Sequence, residues 1–135
     1  MGPWEYDEKK AIFEFSDEFY AVYGTNVERE GRFMTPETYI RELVHPEDAE
    51  MVLEASQTLT QGHREHRIIR RDGEVRTIRA RWGAFIRDVA GNIVKRYGVN
   101  QDITERILAE RALRESEERQ KADMLQYCRA ARCEH

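Results

Sequence analysis

The stretch HREHRIIRRDGEVRTIRARWGAFIRDVAGNIVKRYGVNQDIT, residues 63–104, decides the fold. Apolar and polar residues alternate through most of it, and a period of two residues is typical of strands with one buried face. Asp72-Gly73 is typical of a two-residue hairpin turn, and residues 88–92 contain a second turn. The stretch therefore predicts three successive antiparallel strands.

The N-terminal residues predict two more strands and a first helix. WEYDEKKAIFEF, residues 4–15, alternates on both sides of a polar turn at residues 7–10. Ser16 is a typical N-cap, and the apolar positions after it end at Gly24, so a short helix is expected between them. The segment GTNVEREGRF, residues 24–33, has no clear period and is predicted to be a loop.

Two prolines mark the starts of the next two helices. Thr35 followed by Pro36 combines a cap residue with a first-turn proline, which predicts a second helix. Pro46 ends that helix, because a residue before proline is pushed out of the helical region, and begins a third one. Val52 and Leu59 belong to the apolar stripe of the third helix.

A long final helix is predicted after the last strand. Asp102 with Glu105 three positions later forms a capping box, and neither Gly nor Pro occurs from residue 103 to the end. Apolar residues follow a weak heptad pattern that the polar sequence RESEERQK, residues 114–121, interrupts. We expect this helix to leave the domain and to pair weakly with a second copy.

Composition points to one globular domain. The chain has 135 residues and a mass of 16.0 kDa, with 40% hydrophobic and 36% charged residues, which supports one core with a charged exterior. No run approaches the roughly 20 apolar residues of a membrane-spanning helix, and the first residues lack a leader pattern. Cys128 and Cys133 lie near the C terminus, outside the expected core, so a reducing cytoplasm is the natural setting.

Arginine is concentrated in residues 63–87, which raises the possibility of nucleic-acid binding. These arginines alternate with apolar residues along predicted strands, so a solvated sheet face explains them. The net charge of −4 also opposes phosphate binding at long range. We expect no nucleic-acid partner.

Together these motifs resemble the PAS domain family. The DG hairpin, the D-x-x-G-N turn and the G-V-x-x-D-I-T strand end resemble its C-terminal PAC motif, and LVHPEDAEMVLEA and FSDEFYAVYG resemble its first half. The resemblance covers about residues 3–119. It implies an α+β fold: a five-stranded antiparallel sheet in order 2-1-5-4-3 with short helices on one face. The sensor core would occupy residues 1–102 and a signalling helix residues 103–135.

The resemblance implies a sensory and dimerisation module of a bacterial signalling protein, such as a histidine kinase or a diguanylate cyclase with a GGDEF output domain. Such a module is cytoplasmic, although its parent can be membrane-anchored, and is not itself an enzyme. The sequence agrees, because it lacks a Gly-rich phosphate loop and an H-E-x-x-H motif. The alternative is a receptor domain in which a bound small molecule, flavin or haem is the main function.

No cofactor is assigned from the sequence. Photosensing relatives carry a reactive cysteine in the loop after the first helix, where this chain has Val27, so cysteinyl flavin chemistry is excluded there. Haem-binding relatives use a helical histidine, whereas His45 precedes Pro46 and is expected to end one helix and begin the next. Cys128 and Cys133 lack a second ligand pair nearby, so no metal site is expected.

The inward-facing apolar residues form either a plain core or the wall of a ligand cavity. His66, Tyr23 and Tyr97 are the polar groups expected to face inward, which is what a binding pocket needs. The residues predicted to line such a pocket are Phe15, Phe19, Tyr23, Ile40, Leu43, His66, Ile68, Ile78, Trp82 and Tyr97.

Asp102 and Thr104 are the predicted signal-relay residues. They stand where the last strand becomes the exit helix, so they belong to both the sheet and the transmitting element. Asp102 is expected to cap the helix, with Thr104 as the substitute cap in its absence.

Overall fold

The computed structural model describes residues 1–57 and 60–133, with side chains as far as residue 130. Leu59, predicted in the stripe of the third helix, lies outside the described residues. Residues Met1–Ile103 form one compact unit, and the helix that starts at Thr104 belongs to a second.

The first unit is an antiparallel sheet with helices on one face. In chain order its strands are β1 (Gly2–Asp7), β2 (Ile12–Phe15), β3 (Phe33–Met34), β4 (Gly62–Ile69), β5 (Val75–Arg87) and β6 (Ile93–Asp102). The helices are α1 (Asp17–Ala21), α2 (Val27–Glu30), α3 (Pro36–Leu43), α4 (Ala49–Ser56) and, in the second unit, α5 (Thr104–Cys133). A 3-10 turn at Pro46–Asp48 precedes α4.

The helix starts follow the predicted caps. Ser16 accepts the Phe19 backbone N–H through its hydroxyl, at 3.3 Å, and begins α1. Thr35 does the same for Thr38 at 3.2 Å and begins α3. His45 accepts the Glu47 N–H through Nδ1 at 3.1 Å and caps the 3-10 turn, the local role that its position before proline predicts.

The prediction of five strands is wrong, because the described residues form six, in order β3-β2-β1-β6-β5-β4. The additional strand and α2 lie in and just after the segment 24–33 that was predicted as a loop. Asn26 caps α2 by accepting the Arg29 N–H at 2.9 Å, and Phe33 and Met34 pair with β2. Elements of two and four residues are too short to show a period. Without β3, the order is the predicted 2-1-5-4-3.

The turn between β4 and β5 is longer than the predicted two residues. The Arg70 N–H donates to the Glu74 carbonyl at 2.9 Å, so three residues separate the last paired positions. Gly73 has φ of +90° and donates to the Arg70 carbonyl at 2.9 Å. This is a β-turn closed by a glycine bulge, which needs the glycine for its left-handed backbone.

The core lies between the inner face of the sheet and helices α1, α3 and α4. Phe15 and Phe19 stack with ring centroids 3.8 Å apart, and Tyr23, Leu43 and Ile68 are fully buried beside them. The core therefore joins the end of β2, the first helix, α3 and β4, and it is largely aromatic.

Gly98 in β6 is required by the packing of the inner face. It pairs with Trp4 of β1 on one side and Trp82 of β5 on the other. A Cβ atom added here would collide with the Trp4 indole and lie 2.5 Å from the Arg81 carbonyl oxygen. Neither group can shift without cost, since the Trp4 ring is hydrogen-bonded to Asn100 and the Arg81 carbonyl is backbone.

Gly98→Ala is therefore expected to lower the free energy of unfolding by about 1–3 kcal/mol, as overpacked cores do. The matched control is Gly83→Ala in β5, where the nearest atom is Cγ of the flexible Gln61 side chain at 2.7 Å. Urea unfolding of both variants checks the difference. Equal losses in the two variants would contradict the placement of the Trp4 ring.

Candidate functional site

A cavity of about 70 Å³ lies between the inner sheet face and the helices. Aromatic rings make up most of its wall: Trp4, Phe13, Phe15, Phe19, Tyr39 and Trp82. The small aliphatic side chains Val52, Ala55 and Ala80 complete the apolar part. The polar lining residues are Ser56, Arg64, His66, Arg96 and Asn100.

Only some of the residues predicted to line a pocket line this cavity. Phe15, Phe19, His66 and Trp82 line it. The predicted residues Tyr23, Leu43, Ile68 and Ile78 are buried in the surrounding core, and Ile40 packs against that core from its partly buried position.

Tyr97 requires a correction, because it lies on the opposite face of the sheet. There it lines a shallow groove with Pro3, Arg79 and Arg81. Two inward positions of β6 are held by the polar residues Arg96 and Asn100, which are the most buried residues of that strand. Hydrophobicity therefore indicates the wrong face of β6, since Tyr97 and Val99 point away from the core.

The pocket prediction missed the other lining residues, which include Trp4, Tyr39, Arg96 and Asn100. A polar residue inside a strand was the available signal for Asn100. Its pairing with Ala80 of β5 sets it on the buried face. That pairing is a property of the assembled sheet and is not visible in the alternation of β6 alone.

A chain of hydrogen bonds crosses the core beside the cavity. The Trp4 indole Nε1–H donates to Asn100 Oδ1 at 2.9 Å, and Asn100 Nδ2 donates to Tyr23 Oη at 3.0 Å. Tyr23 Oη lies 2.5 Å from Tyr39 Oη, which lies 3.2 Å from His66 Nε2. The five side chains come from β1, β6, the turn after α1, α3 and β4.

The donor at one end sets the direction of the whole chain. Trp4 can only donate, so Asn100 must turn its oxygen to the indole and its amide nitrogen to Tyr23. The buried Tyr23 hydroxyl then donates a hydrogen bond to Tyr39 Oη, and the Tyr39 hydroxyl donates one to His66 Nε2. His66 is consequently neutral, with its proton on Nδ1.

The local electrostatics agree with a neutral chain. Burial lowers the pKa of His66 to about 4, against a weak opposing effect of the Asp48 carboxylate. Burial likewise raises the pKa of Tyr23 and of Tyr39 above the usual tyrosine range, so both phenols keep their protons.

The two arginines of the cavity wall differ in their partners. Arg96 is buried, and its charge is balanced by an ion pair of Nε with the Glu8 carboxylate. Its guanidinium also covers the Tyr6 ring at 4.6 Å and donates to the Ser56 carbonyl at 2.8 Å. Arg64 is exposed, and no acid of the described residues pairs with it.

The residues around this cavity do not fit a flavin or a haem. Ligand pockets for molecules of that class measure roughly 300–1,000 Å³, far above the cavity volume of about 70 Å³. His45 caps the 3-10 turn and does not line the cavity. Within the described residues no group of His, Cys, Asp and Glu is arranged to hold a metal ion, and Cys128 is exposed.

The sheet reaches the final helix through Asp102 and Ile103. Asp102 Oδ2 accepts from Arg76 Nε of the neighbouring strand at 2.8 Å, and the Ile103 N–H donates to the Thr77 carbonyl at 2.9 Å. The last residues of the first unit are thus fixed to β5. The capping role of Asp102 and the substitute role of Thr104 stay predictions.

The sequence matches the PAS fold family over residues 12–100. The chain belongs to the PAS fold family. A PAS domain is thus the setting of the cavity, of the hydrogen-bond chain and of the junction with the last helix. The sequence has no significant match among curated proteins.

Solved PAS structures resemble this chain closely. A sensory box histidine kinase/response regulator from Burkholderia thailandensis is 27% identical, with a TM-score of 0.68 and 89% of each chain covered. The N-terminal domain of a diguanylate cyclase with a PAS/PAC sensor from Marinobacter aquaeolei is 23% identical, with a TM-score of 0.66, covering 78% of this chain and 96% of that one.

A third structure, an RNA-binding light-oxygen-voltage receptor, is 21% identical with a TM-score of 0.64. The match covers 86% of this chain and 34% of that one, so it shows the shared fold alone. None of the helices in the described residues is both long and apolar enough to span a bilayer.

The neutral state of His66 predicts a pH dependence of stability. In the unfolded chain His66 takes up a proton below pH 6.5, its ordinary pKa. In the folded protein its pKa is about 4, so it stays neutral down to about that pH. Folding is therefore favoured above pH 6.5, and this contribution is lost as the pH falls toward 4. The free energy of unfolding decreases by about 3 kcal/mol over this range.

Urea unfolding of the natural chain and of His66→Gln across this pH range measures the effect. Gln can accept a hydrogen bond from the Tyr39 hydroxyl and does not titrate. The two proteins share every other titratable group, so the difference between their stability curves isolates the contribution of His66. We expect the natural chain to lose more stability. Parallel curves would contradict a neutral, buried His66.

Proposed function

We propose that this PAS domain is a sensor module that relays a change at its cavity through α5 to an attached output domain. The relatives named for a histidine kinase and a diguanylate cyclase support an output domain of one of these two kinds. In this proposal the domain is not itself catalytic, and it works in the cytoplasm.

The continuity of β6 carries the proposal. Asn100 is a member of the buried hydrogen-bond chain and lines the cavity. Two residues later Asp102 is held by Arg76, and α5 begins at Thr104. Only one residue, Gln101, separates Asn100 from the ion pair of Asp102 beside the helix start. A displacement of Asn100 is therefore transmitted to that ion pair through a short piece of backbone.

The surface of α5 supports a homodimer as part of this function. Large apolar side chains are exposed along it: Leu108, Leu113, Met124, Leu125 and Tyr127. Their spacing is sparse, so we infer a weak coiled-coil pair. Its dissociation constant is expected in the micromolar range, which corresponds to a binding free energy of about −8 kcal/mol. The exposed polar residues between them contribute little to such a seam.

A second candidate function is a receptor in which the bound small molecule is the main purpose. The cavity favours it, because aromatic walls surround a few converging polar groups. The two functions differ in whether the domain still acts on its output without an added ligand.

A chimera of this domain with a diguanylate cyclase output tests the relay. Asp102→Asn keeps the size of the side chain and removes the charge that pairs with Arg76. We expect a change in basal cyclase activity with a loss in unfolding free energy of only about 1 kcal/mol, because the ion pair is partly exposed and Asn caps a helix about as well as Asp.

The matched control is Glu5→Gln, which removes the ion pair to Lys95 at 3.2 Å near the other end of β6, seven residues before Asp102. The control should leave cyclase activity unchanged. If a well-folded Asp102→Ala, Thr104→Ala double variant also leaves activity unchanged, the junction is a structural cap and the relay proposal fails.

A further inference from the structure

The polar side of the cavity wall carries basic groups without an acid. Arg64, His66 and Arg96 line it, and no Asp or Glu of the described residues does. Glu8 balances the charge of Arg96, so Arg64 carries the charge that has no carboxylate partner among the described residues, and the neutral His66 adds a hydrogen-bond donor. A ligand that complements this wall must bring acceptor atoms.

His66 offers one donor to the cavity. The hydrogen-bond chain occupies its Nε2 as an acceptor, so the proton sits on Nδ1. Nδ1 has no partner among the described residues, and the residue lines the cavity. A bound acceptor would give this donor a partner.

Arg64 offers a second set of donors. It lies two residues before His66 on β4, on the same face of the strand and therefore about 7 Å from it along the chain. The neighbouring Arg67, Arg76 and Arg79 each have a carboxylate within 2.8 Å. Among the described residues Arg64 has none, so its charge at the cavity is available to an anion.

The size of the cavity limits the ligand to a few heavy atoms. Its volume of about 70 Å³ is roughly half of the 150 Å³ that accommodates benzene in an apolar cavity. The rest of the wall consists of aromatic rings, including Phe15 and Phe19, which suit a short hydrocarbon end.

We propose that the cavity binds a short-chain monocarboxylate, of the size of acetate or propionate. The carboxylate accepts hydrogen bonds from His66 Nδ1–H and the Arg64 guanidinium, and the carbon end packs on the aromatic wall. The proposal rests on the sensor function and names the chemical class of the sensed molecule.

NMR titration of the ¹⁵N-labelled full chain tests this with sodium acetate and sodium propionate at constant ionic strength and neutral pH. Saturable shifts of amides in β4 and around the cavity are expected. Acetamide, the neutral counterpart of acetate, should bind at least about tenfold more weakly, because charge-assisted hydrogen bonds are about twice as strong as neutral ones.

Two variants locate the site. Arg64→Gln should weaken acetate binding at least about tenfold, whereas Arg81→Gln should leave it unchanged. Arg81 is the matched control, since it pairs across from His63 on the opposite face of the same two strands.

The proposal is overturned if folded natural protein shows no saturable shift up to about 50 mM carboxylate, well above a 1 mM dissociation constant. It is also overturned if acetamide binds equally well, or if Arg64→Gln binds like the natural chain. The Asp102 comparison in the chimera needs no ligand. Failed binding beside an intact Asp102 effect therefore rejects the ligand class alone, and lost relay beside carboxylate binding rejects the relay alone.

Discussion

Four buried polar side chains, Asn100, Tyr23, Tyr39 and His66, must satisfy one another inside an aromatic core, and Trp4 fixes how they do so. An indole can only donate, so every proton along the chain points from Trp4 toward His66. Breaking any link leaves a buried polar group without a partner, which costs about 1–3 kcal/mol. The chain thus determines the orientation of an amide, the charge of a histidine and the relative placement of three strands and two helical segments.

The glycine at position 98 and the ion pair at Asp102 depend on the same arrangement. Gly98 leaves room for the Trp4 ring that begins the chain, and Asn100 continues it two residues later on the same face. After another two residues, Asp102 meets Arg76 at the end of the strand. The strand β6 therefore carries the steric, polar and ionic contacts in sequence, which is why we propose it as the relay.

Local chemistry made much of the fold predictable. Ser16 and Thr35 mark helix starts in the sequence and in the structure, because capping acts over a few residues. Pro46, predicted to begin the third helix, begins the 3-10 turn that precedes α4. The site depends on partners far apart in the chain: Trp4 and Asn100 are 96 residues apart, and Asn100 and Tyr23 are 77 apart. No periodicity reveals such pairs. For the same reason the sequence placed Tyr97 on the wrong side of the sheet. Which face of β6 is buried depends on how it pairs with the neighbouring strands β1 and β5.

The tautomer of His66 is the most direct test of this account. Two-dimensional ¹H–¹⁵N NMR of the imidazole nitrogens in the full chain near neutral pH distinguishes a protonated Nδ1 from a protonated Nε2 and from the imidazolium. The hydrogen-bond chain requires the neutral ring with its proton on Nδ1, because Nε2 accepts from the Tyr39 hydroxyl. A proton on Nε2, or an imidazolium at that pH, would show that the chain does not run from Trp4 to His66.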